Sequence, residues 1–393
     1  MARRLRVLQV GPIPPPIEGG IAAYMDGLLR SSVAEEFELV PFDVRVPERA
    51  RRMRPLRGWT SVQFLRNYRR ALRETTPDIV HIHSSAFLSF WEKSTMGRMA
   101  HRQGIPWVLH LHDGFFESFL GNLRNPLARL ARANMQSASA VITVCEAWCD
   151  WLNEWVEPEK IRYLPNAIRA QDFPQAFSSR DTPRLLFLGD LSESKGIYDL
   201  CDALGDLHSS GLDFEVDLVG GAASAATLQE VHRRFAGRNL SGRCTFHGPI
   251  YNEGRNRLLE QAAIFVLPSH TESFCLANLE AMACGLPVIS TRTGAIPEVV
   301  REGREGLLVT PRDVEGLKGA LATLILDPQK RSAMGQAARL RAQRFDWSVV
   351  VEKLAALYDE VGRSTQEDAR ARPSVSALTN SDSKQRQSAA VPL

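Results

Sequence analysis

The feature that most constrains this chain is a rhythm: short apolar runs alternate with amphipathic stretches of helix length, and the rhythm stops and restarts half-way along. Strand–helix–strand units of this kind build parallel sheets with helices on both faces. In the first half the runs place strands near Val7–Val10, Leu39–Phe42, Ile79–Ile82, Val108–Leu111 and Val141–Val144. In the second they place them near Leu185–Leu188, Val216–Val219, Cys244–Phe246, Ile264–Leu267, Val288–Ser290 and Gly306–Val309. The expected fold is α/β: two doubly wound, Rossmann-like domains facing a cleft.

The turn-rich stretch NAIRAQDFPQAFSSRDTP separates the halves, so the expected domains span residues 1–168 and 183–345. A helical pattern at Trp347–Val361 follows, giving a segment 346–363 that crosses back to the first domain. Residues 364–393 lack aromatics and are rich in Ser, Ala, Gln and charge, which predicts a disordered tail.

Composition removes several classes. With 393 residues and 44% hydrophobic content the chain builds a sizeable core, which excludes a disulfide-stapled miniature or a disordered chain. No run reaches the roughly 20 apolar residues of a membrane-spanning helix. The basic N-terminus has too short an apolar run, ended by prolines, for a signal peptide, so the expected location is cytoplasmic. Six cysteines without a C-x-x-C pair read as reduced thiols, and no metal site is expected. The formal charge of +3 is unevenly spread: ten arginines lie between Arg45 and Arg73, offset by Glu48 alone. Such a cluster suits phosphates or an anionic membrane surface, to which Trp59, Phe64 and Tyr68 of the same stretch would add apolar contact. Nucleic acid is not expected, because Trp59, Phe64 and Tyr68 have a helix-like spacing more typical of a core stripe than of a stacking platform.

In open parallel sheets ligands bind beyond the carboxyl ends of the strands, so the strand-to-helix turns are where chemistry is expected. In GPIPPPIEGGIAAYM, Gly19 and Gly20 open a helix and leave backbone N–H groups free to face an anion. In LLFLGDLSESKGIYDL, Gly189 ends a strand and Lys195 stands at the next helix start, suited to a diphosphate. The segment IFVLPSHTESFCLANLEAMACGLPVIS places Glu272 before a helix and Glu280 inside it. Eight helical residues advance about 12 Å, so the two carboxylates bracket one long ligand rather than grip one atom. A sugar nucleotide has that form, with a diphosphate for the helix N-terminus and hydroxyl-bearing rings on either side. In WVLHLHDGFF, alternation sends His110 and His112 to the same side of a strand with His112 nearer the cleft; His110, His81 and His83 read as structural.

These residues, together with YLPNAI at 163–168, ESFCLANLEAMACGLPV at 272–288, GAIPEVV at 294–300 and FDW at 345–347, resemble retaining glycosyltransferases of family 4 with the two-domain GT-B fold. The resemblance implies a nucleoside-diphosphate sugar donor, UDP- or GDP-linked, held mainly by the second domain, and an acceptor bound mainly by the first. It implies transfer without metal or other cofactor. By position, His112, Glu272 and Lys195 become the catalytic residues. Gly19, Gly20, Gly189, Lys195, Ser273, Phe274, Cys275, Leu276 and Glu280 become donor-binding, with Glu280 on the ribose and the backbone at 273–276 near the donor sugar. Asp190 stands where the family often has arginine, and Cys275 where glycine is common.

Residues 83–114 more narrowly resemble bacterial transferases that build exopolysaccharide or other envelope glycans on lipid-linked carriers. That implies a lipid-linked or oligosaccharide acceptor, and a basic first domain lying on the inner face of the plasma membrane. A sugar-nucleotide epimerase and a non-catalytic sugar-nucleotide-binding scaffold are the competing readings.

Overall fold

The computed structural model describes residues 3–15, 19–45, 56–176 and 182–371, with the backbone alone for 56–62 and 364–371. Twelve strands form two six-stranded sheets among the described residues. The first contains β1 (Arg6–Gly11), β2 (Glu38–Asp43), β3 (Ile79–Ser84), β4 (Trp107–Leu111), β5 (Ala140–Thr143) and β6 (Ile161–Tyr163), in the order β2-β1-β3-β4-β5-β6. The second contains β7 (Arg184–Leu188), β8 (Glu215–Val219), β9 (Cys244–Gly248), β10 (Ile264–Leu267), β11 (Val288–Thr291) and β12 (Gly306–Val309), in the order β12-β11-β10-β7-β8-β9. All pairings are parallel, as strands joined by helical crossovers must be. The two doubly wound α/β domains are therefore present. Strand β6 is an addition: three half-buried residues with Arg162 at the centre give no apolar run from which to foresee an edge strand.

One face of the first sheet packs Leu8, Val80, Ile82 and Leu109 against Tyr68, Phe90 and Phe116. Tyr68 is thus fully buried, and it is not available to lie on a membrane as its place in the arginine-rich stretch suggested. The other face buries Val7, Ile79, Val108 and Ile142 against Tyr24, Met25 and Leu28, and against Trp347, Val350, Leu354 and Tyr358 of the last helix. That helix runs Trp347–Ala371, ten residues past the apolar period that marked it; residues 372–393 of the expected tail lie outside the described residues. Close approach explains its fit: a Cβ on Gly27 would run into the Trp347 indole nitrogen.

The two chain crossings between domains lie side by side. Ile168 N donates to Phe345 O at 3.0 Å and Trp347 N donates to Ile168 O at 2.9 Å, while Ala170 N donates to the Asp346 carboxylate at 2.8 Å. Further along the junction, Glu298 accepts from the backbone N–H groups of Glu146 and Ala147 at 3.0 and 3.1 Å.

Candidate active site

A cleft of about 530 Å3 lies between the carboxyl ends of the two sheets, within the ordinary range for a small-molecule site. Gly19, Gly20 and His112 line it from the first domain, and Gly189, Lys195, Glu272, Ser273, Cys275, Leu276 and Glu280 from the second. The sequence-derived residues are thus brought together with one exception. Phe274 turns its side chain away: it is fully buried with its ring 5.9 Å from Phe345, so only its backbone can serve the cleft.

Two ion pairs organise the second-domain wall. Lys195 Nζ donates to Glu272 Oε1 at 2.6 Å, and Ser269 Oγ donates to the same oxygen at 2.8 Å. Burial works against charge on Lys195, but the Glu272 carboxylate outweighs it and the ammonium is held above its ordinary pKa. The loop that brings Lys195 here ends at Gly196, whose φ of 72° and close approach to Pro268 O leave no place for a side chain. The loop is fastened by His270, whose backbone N–H reaches Ser194 O at 2.8 Å and whose ring meets Asp199 at 2.7 Å.

The second pair is Arg255 Nη1 with Glu280 Oε1 at 2.8 Å. Burial raises the Glu280 carboxyl, with Arg255 pulling it back toward ionisation. Arg255 lies on the polar helix Asn252–Gln261, faces the Phe173 ring at 5.3 Å and lines the cleft. Sequence reading did not single it out, because nothing in NEGRNRLLEQ distinguishes it from a solvated arginine. It supplies a second cation in a site where Asp190 also lines the wall. Between the pairs, the helix Leu276–Ala283 starts after Cys275, which holds a left-handed φ of 66°. That conformation explains why glycine is common there; the thiol is buried and its pKa raised, first by burial and next by Glu272.

On the first-domain wall, alternation along β3 and β4 builds a row of four histidines. His112 Nε2 meets His83 Nδ1 at 3.0 Å, His83 Nε2 meets Gln9 Oε1 at 3.1 Å, and Gln9 Nε2 donates to Tyr358 Oη at 2.8 Å. Tyr358 then meets His81 at 2.6 Å, and His81 Nε2 meets His110 Nδ1 at 3.2 Å. Only His112 reaches the cleft. Burial lowers all four imidazoles, His81 and His112 to about 3, so the row is neutral at pH 7. Ligand nitrogens of His81, His83 and His110 lie within 4.8 Å of one another. They are occupied by the chain of hydrogen bonds, so a metal ion would have to displace it; His110 Nε2 alone lacks a partner among the described residues.

The walls touch. Ser273 Oγ donates to His112 O at 2.6 Å, and a Cβ on Gly114 would stand 2.7 Å from the Glu272 backbone.

The comparisons with known proteins agree with this architecture. The family model of glycosyl transferases group 1 matches residues 169–341, and that of the glycosyl transferase 4-like domain matches residues 19–167. The chain belongs to the family 4 type of GT-B glycosyltransferases. A D-inositol 3-phosphate glycosyltransferase of Acidothermus cellulolyticus is 29% identical over 313 residues, 72% of this chain and 66% of that protein. Sucrose-phosphate synthase from Thermosynechococcus elongatus superposes with a TM-score of 0.78 at 21% identity, over 92% of this chain and all of that one. Anabaena HepE, solved in complex with UDP, gives a TM-score of 0.70 at 18% identity, over 91% of this chain and all of that one. For this glycosyltransferase, no helix among the described residues is long and apolar enough to cross a membrane.

Proposed function

We propose that this glycosyltransferase moves a sugar from a UDP- or GDP-linked donor to a lipid-linked or oligosaccharide acceptor, with retention of configuration and without a metal, in bacterial polysaccharide synthesis. The observation that carries the reading is the pairing of Lys195 with Glu272 and of Arg255 with Glu280 on either side of a helix N-terminus in one cleft. A diphosphate entering there meets two cations, the Leu276–Ala283 amides and the open backbone at Gly19 and Gly20. Charge on the departing diphosphate is thus stabilised by the chain itself, which supports metal independence. Glu280 offers its second carboxylate oxygen to ribose hydroxyls, and Glu272 with the backbone at 273–276 holds the donor sugar. HepE, solved with UDP and with UDP-glucose, favours a uridine donor.

His112 is neutral and a very weak base, because burial holds it near a pKa of about 3. It is suited to orient a sugar hydroxyl and poorly suited to remove the acceptor's proton. The leaving phosphate is then the base, and attack occurs on the face the phosphate leaves. In that step the acceptor oxygen bonds to the anomeric carbon, the carbon–phosphate-oxygen bond breaks, and the proton passes to the phosphate. Glu272 Oε1 already accepts from Lys195 and Ser269, which weakens it as a competing nucleophile.

The test is a thermal-shift series with UDP, GDP, ADP, dTDP and their sugar conjugates. One nucleotide should raise the melting temperature of the native protein and not of Glu280→Ala; a ligand at 100 times its Kd adds about 2.7 kcal/mol. No stabilisation by any of them would sink the donor reading, whereas stabilisation with no transfer or donor hydrolysis under any condition would favour the scaffold, for which Asp190 in the cleft wall is the supporting observation. A glycosylated Glu272 trapped during turnover would overturn the front-face step.

A further inference from the structure

The first domain holds a second cavity, of about 250 Å3, between the arginine-rich helix Leu56–Thr75 and the helix Leu88–His101. Phe64 and Leu65 of the former and Leu88, Trp91 and Met96 of the latter give it a mainly apolar wall. Set into that wall is Lys93, only 6% exposed and without a hydrogen bond or ion pair among the described residues. Lysines normally lay their stems on apolar surface and keep the ammonium in water. The ammonium is not among the fully enclosed polar atoms that lack a partner, so it keeps contact with the open space of the cavity, where a methionine would fill the same volume without a charge. Glu92 beside it opposes the effect of burial on the amine.

The turn at residues 85–88 reaches both the cleft and the cavity. Ser85 and Phe115 line the cleft, Leu88 lines the cavity, and Phe87 stands between them with its ring 6.2 Å from Phe115 and 5.2 Å from Phe119. Phe87 and Leu88 are 53% and 56% exposed and Phe115 is 42% exposed, so three apolar side chains stand bare around this turn. Phe87 also holds φ 59° and ψ −128°, a conformation phenylalanine adopts only under constraint.

We propose that the cavity receives the phosphate-proximal hydrocarbon of a lipid-linked acceptor, with Lys93 pairing to the lipid phosphate. The proposal rests on the transferase reading and names the lipid-bearing member of its acceptor class. A cavity of about 250 Å3 has room for a short run of hydrocarbon and not for a whole polyisoprenoid chain. Exposed Arg66, Arg69 and Arg73 on the neighbouring helix add positive potential around an anionic head.

The experiment uses the full chain and dodecyl phosphate below its micelle concentration, with dodecanol and inorganic phosphate as separate probes, followed by calorimetric titration. Wild type should bind dodecyl phosphate. Lys93→Met should weaken that binding at least about tenfold and leave dodecanol binding unchanged, while Leu65→Trp, which fills the cavity, should weaken both. Both variants should keep the wild-type affinity for the nucleotide found above, which also shows that they fold. Inorganic phosphate displacing dodecyl phosphate on its own, or both variants binding it like wild type, overturns the proposal. Undecaprenyl phosphate in detergent should displace the probe and phosphatidylglycerol vesicles should not; the reverse result overturns the assignment to an acceptor. Loss of nucleotide binding in wild type with dodecyl phosphate binding intact would strike the transferase reading alone, whereas the opposite pattern would strike the cavity alone.

Discussion

Lowering the pH from about 7.5 to 5.5 is expected to destabilise the first domain by about 5 kcal/mol, through the histidine row. An unfolded histidine titrates near 6.5. In the fold, burial takes His81 and His112 down to about 3 and His83 and His110 well below their ordinary value. These are bases with lowered folded pKa values, so the unfolded chain binds more protons throughout this window. Their stabilising effect is complete above about pH 7 and is lost as the pH falls through 6.5 toward the folded values. At pH 5.5 each unfolded histidine has gained about 1.4 kcal/mol relative to its folded, neutral counterpart, and four such groups give the total. Carboxylates that the fold holds low, such as Asp43 and Glu305, titrate below this window and do not obscure it. The loss matches the lower end of a whole domain's stability, about 5 to 15 kcal/mol. Urea unfolding followed by tryptophan fluorescence and circular dichroism at a series of pH values measures it, with an unchanged m-value required. His110→Leu should remove about a quarter of the pH slope. A loss below about 2 kcal/mol in wild type, or a slope unchanged in that variant, would mean that the row accepts protons while folded and would refute the reasoning.

Three further outcomes follow from the contacts described. Gly114→Ala places a methyl against the Glu272 backbone and should hold the walls apart; transfer should fall at least about tenfold while the melting temperature stays within a few degrees, and an unchanged rate would show that this contact does not matter in turnover. Glu298→Ala leaves the Glu146 and Ala147 N–H groups without their acceptor at the junction, so it should cost about 1 kcal/mol and separate the domain unfolding transitions in calorimetry. Replacing Arg66, Arg69, Arg70 and Arg73 by serine should release the protein from anionic vesicles without changing nucleotide affinity, as read by co-sedimentation and titration.

Both sheets were legible because most strands are short, mainly apolar runs bounded by turn residues, and such runs need no partner to be recognised; β6 and the polar β9 are the weakest of them. The second-domain wall was legible because Glu272, Ser273, Cys275, Leu276 and Glu280 fall in one turn and helix, where sequence distance fixes spatial distance. Arg255 was not, since its partner Glu280 lies 25 residues away and only the packing of two helices brings them together. The histidines illustrate an intermediate case. Alternation places His110 and His112 on one face, but the bond from His83 to His112 depends on the register between β3 and β4, which pairs His83 with His110. The aromatic residues of the arginine-rich stretch suggested a surface, yet Tyr68 belongs to the core and Phe64 to a cavity wall. Helical spacing reveals a common face without revealing what covers it.

The hydrogen bond from Gln9 to Tyr358 links two residues 349 positions apart in the chain. During synthesis at roughly 5 to 20 residues per second, the first sheet therefore emerges long before the helix that covers one of its faces. Val7, Ile79, Val108 and the histidine row must wait uncovered while the second domain, whose core draws mainly on its own segment, is made and can fold. The last helix then closes the first domain. A chain truncated before Trp347 would carry the second-domain core with one face of the first sheet uncovered, a species with apolar surface exposed to chaperones and proteases. Completion of the first domain thus waits on the helix Trp347–Ala371, although the chemistry lies elsewhere.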